Sequence, residues 1–230
     1  ADISDEIWTL PDKLGDKRVV PVKLDMRDEN SVLGLMKKSD VVVELLPGEY
    51  ALPVAKLAVK AGVSLVSAMY LLNPGEQDET KRRLQREEIS RLDETARSKG
   101  ITILEEFGMD PGIDLILGAK AVEGFDEVKV FHSYGAGFPE LNASWNPIRY
   151  KFTWSVIGVM RSYLRPARVI KGGKMVDISA DSMFDEENMH YLDIPELGSK
   201  LECFANGDSV AFSGILGLDG TISTMGRYIC

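Results

Sequence analysis

The strongest constraint on this chain is its rhythm of short apolar runs separated by helical patterns. Residues 40–46 (DVVVELL), 63–69 (VSLVSAM) and 101–106 (ITILEE) are compact, mostly apolar segments bounded by turn residues, and 19–24 (VVPVKL) reads as a further strand. A continuous run such as 40–46 suits a strand buried on both faces. Helical spacing over 30–38 and 51–61 fills the gaps, with Gly62 placed to close the second helix in the left-handed conformation. Strands separated in this way form right-handed βαβ units and a parallel sheet, here of about four strands. Residues 74–99 are dense in charge with acid–base pairs at helical spacing, which predicts a loop and then a long, solvated helix without chemistry.

The texture changes near residue 125. VKVFHSYGAGF alternates as a half-exposed strand does, 137–150 is rich in Pro, Asn and aromatics, 151–163 has a helical pattern, and VIKGGKMVDI, KLECFA and VAFSGIL read as a second sheet of mixed sense. The expected organisation is a first α/β domain over 1–124 and a second, α+β domain over 125–230.

Composition excludes several classes of function. The chain has 230 residues and a net charge of -9. Such an acidic surface repels phosphate backbones, so nucleic acid is not expected as a partner. No apolar run reaches the roughly 20 residues of a membrane span, and no signal peptide is visible. The two cysteines, Cys203 and Cys230, do not amount to a disulfide framework, and a reducing cytoplasm is the default setting. His132 and His190 lie far apart in sequence with no cysteine or acidic cluster beside them, so no metal site is expected.

Ligands of a parallel α/β sheet bind at the carboxyl ends of its strands. Four such ends are legible: Asp25–Met26, Leu46–Pro47–Gly48, Ala68–Met69–Tyr70 and Gly108–Met109–Asp110–Pro111–Gly112. In the last, Asp110 fits a helix N-cap with Pro111 in the first turn. The same carboxylate is also suited to holding a substrate ammonium or assisting proton transfer at the crevice. The sequence contains no G-x-G-x-x-G turn, which would place a dinucleotide pyrophosphate at a helix N-terminus. It opens in ADISDEIWTLPDKLG, which reads like a helix after a second strand, and closes on GRYIC. A fragment truncated at both ends, binding dinucleotide weakly or not at all, is the simplest expectation.

EEFGMDPGID, followed by HSYGAGFPELNASWNPIRYKFTWSVIGV, together with DVVVELLP and LECFANGDS, resembles the saccharopine dehydrogenase family. The likeness is greatest to its glutamate-forming reductases, whose stretches run GLDPGID, SYCGGLP, NPLGYKFSWS and ECYPNRDS, and it extends from about residue 19 over nearly the whole chain. The resemblance implies an incomplete Rossmann-type parallel sheet followed by an α+β substrate and dimerisation domain. It also implies NADP, or NAD, as cofactor and hydride transfer at the CH–NH bond of an amino acid, saccharopine or a relative. Sister activities are lysine 6-dehydrogenase and carboxynorspermidine synthase; a non-catalytic module of the same fold is the reading from a different class.

By carry-over, Asp25 and Met26 lie by the adenosine, Leu46 touches the cofactor, and Ala68 and Met69 flank the nicotinamide, with Met69 and Tyr70 near substrate. Met109, Asp110 and Pro111 line the nicotinamide–substrate junction, with Asp110 the catalytic candidate. Ser155 reaches the cofactor, and Arg227 binds a substrate carboxylate or is a surface residue. The family also implies a homodimer. The chain has Gly135 where the reductases have cysteine, Gly207 where they have the arginine of NRDS, and Met69 where they have serine.

Overall fold

The structure is a computed structural model that describes residues 1–73, 76, 78–137, 139–147, 150–152, 156–197, 199–218 and 222–230. The chain divides into two compact units, 1–107 and 108–230. The division falls earlier than the textural change near 125, so the helix after the DPG turn groups with the second unit.

The first unit opens with α1 (Leu10–Leu14), which Gly15 closes at φ 62°. In α2 (Glu29–Met36) the Asp28 carboxylate caps the helix by accepting from the Ser31 N–H. Three strands follow, β1 (Val41–Glu44), β2 (Ser64–Ser67) and β3 (Ile103–Leu104), paired in that order and all parallel. Between β1 and β2 runs α3 (Ala51–Ala61), and Gly62 ends it at φ 76°. Between β2 and β3 runs α4 (Glu79–Ser98), capped by Asp78 and buried only at Ala96, as its charge pattern requires. The core lies between α2, α3 and one face of the sheet: Val32, Met36, Val54, Ala55, Leu57, Ala58 and Leu65.

Two expectations are corrected here. Residues 19–24 form no strand and contribute one bridge, Asp2 to Lys23. Pro21 supplies no N–H to a ladder, and Val20 is 76% exposed. Nor is β1 buried on both faces. Glu44 is buried and Val42 half-buried, while Val41 and Val43 are 50% and 62% exposed. Among the described residues, α2 and α3 cover one face only.

The second unit contains α5 (Ile113–Val122), β4 (Val130–Gly135), α6 (Val156–Ser162), β5 (Ala167–Lys171), β6 (Lys174–Ile178), β7 (His190–Ile194), β8 (Ser199–Ala205) and β9 (Thr224–Ile229). Gly172 and Gly173, both at positive φ, form the two-residue hairpin loop between β5 and β6. The strand order is β6-β5-β9-β8-β7, and β4 lies parallel to β9 along its whole length. The sheet is therefore mixed, as expected. Strand β9 is its hub: β4 takes one edge, while β5 and β8 share the other at Met225 and at Tyr228–Ile229. No helix among the described residues is long and apolar enough to cross a membrane.

The cysteines also depart from expectation. Cys203 and Cys230 are joined in a disulfide. The register Phe204↔Ile229 sets them opposite each other on β8 and the end of β9, close enough to bond. Spacing in sequence could not show this, because the two strands are brought together by the fold. The chain unfolded without reductant is expected to show no reactive thiol in a thiol-titration assay and two after reduction. Two reactive thiols before reduction would contradict the pairing.

Candidate active site

Parallel pairing brings the carboxyl ends of β1, β2 and β3 to one edge of the first unit's sheet. A buried carboxylate organises that edge. Glu44 Oε1 accepts from the Leu46 N–H at 2.6 Å, and Oε2 accepts from Ser67 Oγ at 2.5 Å. Ser67 Oγ accepts in turn from the Met69 N–H at 3.0 Å. The Leu71 N–H donates to Glu105 at 2.8 Å. Two of the cofactor-side residues expected from sequence, Leu46 and Met69, are thus pinned through one Glu–Ser pair, with Ala68 between Ser67 and Met69. Leu46, Met69 and Met26 also pack against the core. Tyr70 follows at the same strand end, half-buried. Asp25 pairs with Arg27, whose guanidinium holds the carboxyl down at about 2.

In the second unit the DPG turn takes a different form from the expected helix cap. Helix α5 starts at Ile113, with Gly112 as its N-cap at φ 141°. The Gly112 N–H donates to Asp114 Oδ1 at 2.9 Å, so Asp114 serves that turn. Asp110 precedes a cis peptide to Pro111 and is not the cap. Its carboxylate instead accepts from Arg227 Nη2, which also donates to Asp114 Oδ2 at 2.7 Å. The side chain of Arg227 is 4% exposed, against 20% and 16% for the two acids. Its Cζ stands 4.1 Å over the Phe212 ring, its Nε is buried without a partner among the described residues, and its backbone N–H donates to Ser209 Oγ. Arg227 is therefore an interior cation and not a surface residue. Met109, beside Asp110, is 74% exposed.

Burial is the largest influence on Asp110 and raises its pKa. The Arg227 charge pulls it down, Asp114 pushes it up, and Arg165 and a hydrogen bond from Asn206 pull it down again. The net effect is a carboxyl above its ordinary range.

Alternation along β4 and β9 sends His132, Tyr134 and Tyr228 to the face opposite Arg227. His190 joins them, stacked on Tyr228 with ring centroids 4.0 Å apart. Tyr134 Oη lies 3.1 Å from His190 Nδ1. Burial pushes the Tyr228 hydroxyl up to about 12 and both imidazoles down. No group of three or more metal-ligating side chains occurs among the described residues.

The structure thus unites Asp110 with Arg227. The other sites expected from sequence divide between the units: Asp25, Met26, Leu46, Ala68, Met69 and Tyr70 in the first, Met109 and Pro111 in the second. Ser155 lies outside the described residues. Sequence reasoning missed Glu44, Ser67 and Asp114. A lone acid inside the apolar run VVVELL was the available signal for Glu44, and a second acid one helical turn after Asp110 was the signal for Asp114.

A raised carboxyl fixes the sign of a pH effect. The folded chain binds the Asp110 proton more tightly than the unfolded chain, whose value is 3.8. That contribution to stability is fully present below the unfolded value and lost as pH rises through the folded one. Asp110→Asn removes it, while the histidine contributions are common to both proteins and cancel. Unfolding titrations are expected to show the wild type gaining on Asp110→Asn as pH falls from neutral to about 4. A difference that does not vary with pH would contradict the assignment.

Comparison with known proteins agrees with this division. A family described as saccharopine dehydrogenase NADP binding domain matches residues 4–104, and one described as saccharopine dehydrogenase C-terminal domain matches 108–230. The alpha-aminoadipic semialdehyde synthase of Arabidopsis thaliana is 34% identical over 91% of this chain and 19% of its own length. The NADP(+), L-glutamate-forming saccharopine dehydrogenase of Saccharomyces cerevisiae is 28% identical over 84% of the chain and 41% of its own. The solved apo saccharopine dehydrogenase (L-Glu forming) from that yeast shares the fold, with a TM-score of 0.75 and 24% identity over 99% of this chain and 48% of that one. The chain spans less than half the length of each of these proteins. With both units matched in order, the chain belongs to the saccharopine dehydrogenase family.

Proposed function

We propose that the protein is an NADP-dependent oxidoreductase acting on the CH–NH bond of saccharopine or a closely related amino acid. The observation that carries this reading is a partly exposed carboxylate, Asp110, held on a buried arginine at the head of the second unit. The order of the two family matches, the first of them to an NADP binding domain, supports it.

The described residues fit the nicotinamide side of a dinucleotide. Glu44 and Ser67 fix the backbone at Leu46 and Met69, on the strand edge where such ligands bind. Bound there, the nicotinamide supplies the hydride acceptor. The substrate's C–H bond breaks with its electron pair, and the nitrogen lone pair closes a C=N bond. Water then adds and the C–N bond breaks, leaving an aldehyde and an amine. In this reading Asp110 holds the substrate's amine nitrogen and takes its proton. A carboxyl raised above its ordinary range is a better proton acceptor than an ordinary one. A homodimer through the second unit belongs to the same reading and rests on the family resemblance.

One observation favours a sister activity. Arg227 is spent on two carboxylates, and position 207 is glycine, so neither offers a free guanidinium to a substrate carboxylate. The assay that decides follows nicotinamide absorbance in the full-length protein with NADP or NAD, offering L-saccharopine and, separately, L-lysine. Reduction of NADP with saccharopine is the expected result. Reduction with lysine alone moves the protein to the sister activity. No turnover with either while NADP still binds would overturn the substrate assignment.

A further inference from the structure

Gly135, the last residue of β4, lies against the Asp110 carboxylate. A Cβ placed on it would stand 2.9 Å from Asp110 Oδ2 and 3.4 Å from Ile229 Cδ1. Packed interiors do not admit the shorter approach, so one group must move. At the longer distance the Ile229 methyl is at the edge of ordinary contact and need hardly move. The Asp110 carboxylate has a short stem, and it makes way only by rotating.

That rotation would take it off Arg227. Asp110 Oδ1 accepts from Nη2 of a guanidinium that cannot follow it. Arg227 is held by Asp114 on the same nitrogen and by the Phe212 ring beneath. Its backbone N–H is fixed by Ser209 Oγ, and its carbonyl accepts from the Asn206 N–H. The polar groups facing Asp110 are Arg227, Asp114, Arg165 and Asn206.

We propose that Gly135, Asp114 and Arg227 are positioning residues for Asp110: the missing side chain at 135 admits the carboxylate to a guanidinium that Asp114 holds in place. The inference rests on the reading that Asp110 meets the substrate. It makes Arg227 act through Asp110 instead of clamping a substrate carboxylate. It also makes position 135 a control on where the acid points, and hence on which substrate nitrogen it can reach.

The test uses Gly135→Ala, with Gly137→Ala as control because a Cβ there meets nothing within 4 Å. The first readout needs no substrate. Unfolding is measured for Gly135→Ala alone and in an Asp110→Ala background, where the displaced carboxylate is absent. Gly135→Ala alone is expected to shift the unfolding equilibrium constant by about tenfold or more, and to have little effect once Asp110 is gone. An equal cost in both backgrounds, or none in either, overturns the proposal.

The second readout is saccharopine oxidation by the full-length protein. Gly135→Ala is expected to lower kcat/KM by about tenfold and to move the acid limb of its pH profile by about half a unit or more, while Gly137→Ala leaves both unchanged. Arg227→Lys keeps the charge but loses the forked donor and should fall between them. A pH profile unmoved in Gly135→Ala also overturns the proposal. If the wild type oxidises no saccharopine, the proposed function fails, and the unfolding comparison still decides whether residue 135 positions Asp110.

Discussion

A guanidinium that is 4% exposed cannot remain in a protein interior as a lone charge. Arg227 is kept there by two carboxylates, and the second unit is arranged to deliver them. Asp110 comes from the turn before α5 and Asp114 from the first turn of the helix, so one cation ties the start of the unit to β9, near its end. Two acids against one base leave the cluster with an excess negative charge. Burial lifts the Asp110 carboxyl, with a smaller push from Asp114, against the pull of Arg227. The ion cluster is thus at once a structural tie and the surroundings that set the chemistry of its most exposed member, Asp110.

Strand β9 carries this arrangement because it is hydrogen-bonded on both edges. Its register with β4 places Arg227 beside Ser133 on one face and Tyr228 beside Tyr134 on the other. The polar face holds the Asp110 site, and the aromatic face holds the two histidines in surroundings that disfavour their charge. Gly226 is required by the second face: a Cβ there would fall 2.3 Å from the Tyr228 hydroxyl, so the ring lies over bare backbone. Past the end of the strand, Cys230 is bonded to Cys203 of β8 and donates its N–H to Gly135. Position 135 is therefore tied to β9 on one side and faces Asp110 on the other.

Much of this was legible in sequence because it depends on local pattern. The three strand runs, the Gly62 helix stop, the solvated α4 and the mixed second sheet all follow from periodicity and turn chemistry, and DPGID pointed to Asp110. What could not be read depends on contacts distant along the chain. Arg227 meets Asp110 across 117 positions, Ser67 meets Glu44 across 23, and the disulfide spans 27. The helix-cap reading of Asp110 did not hold because a buried guanidinium attracts a carboxylate more strongly than backbone N–H groups do, and Asp114 was available to serve the turn. The strand reading of 19–24 did not hold because apolar composition cannot replace the donor that Pro21 lacks.

The central claim is that Arg227 is a buried cation neutralised by Asp110 and Asp114. Urea unfolding of Arg227→Met compared with the triple variant Arg227→Met/Asp110→Asn/Asp114→Asn tests it most directly. The single change strands two carboxylates in the interior and should cost about 3–5 kcal/mol, while the triple change removes every charge of the cluster and should recover most of that loss. A single variant no less stable than an ordinary surface substitution, or a triple variant less stable than the single one, would contradict the account.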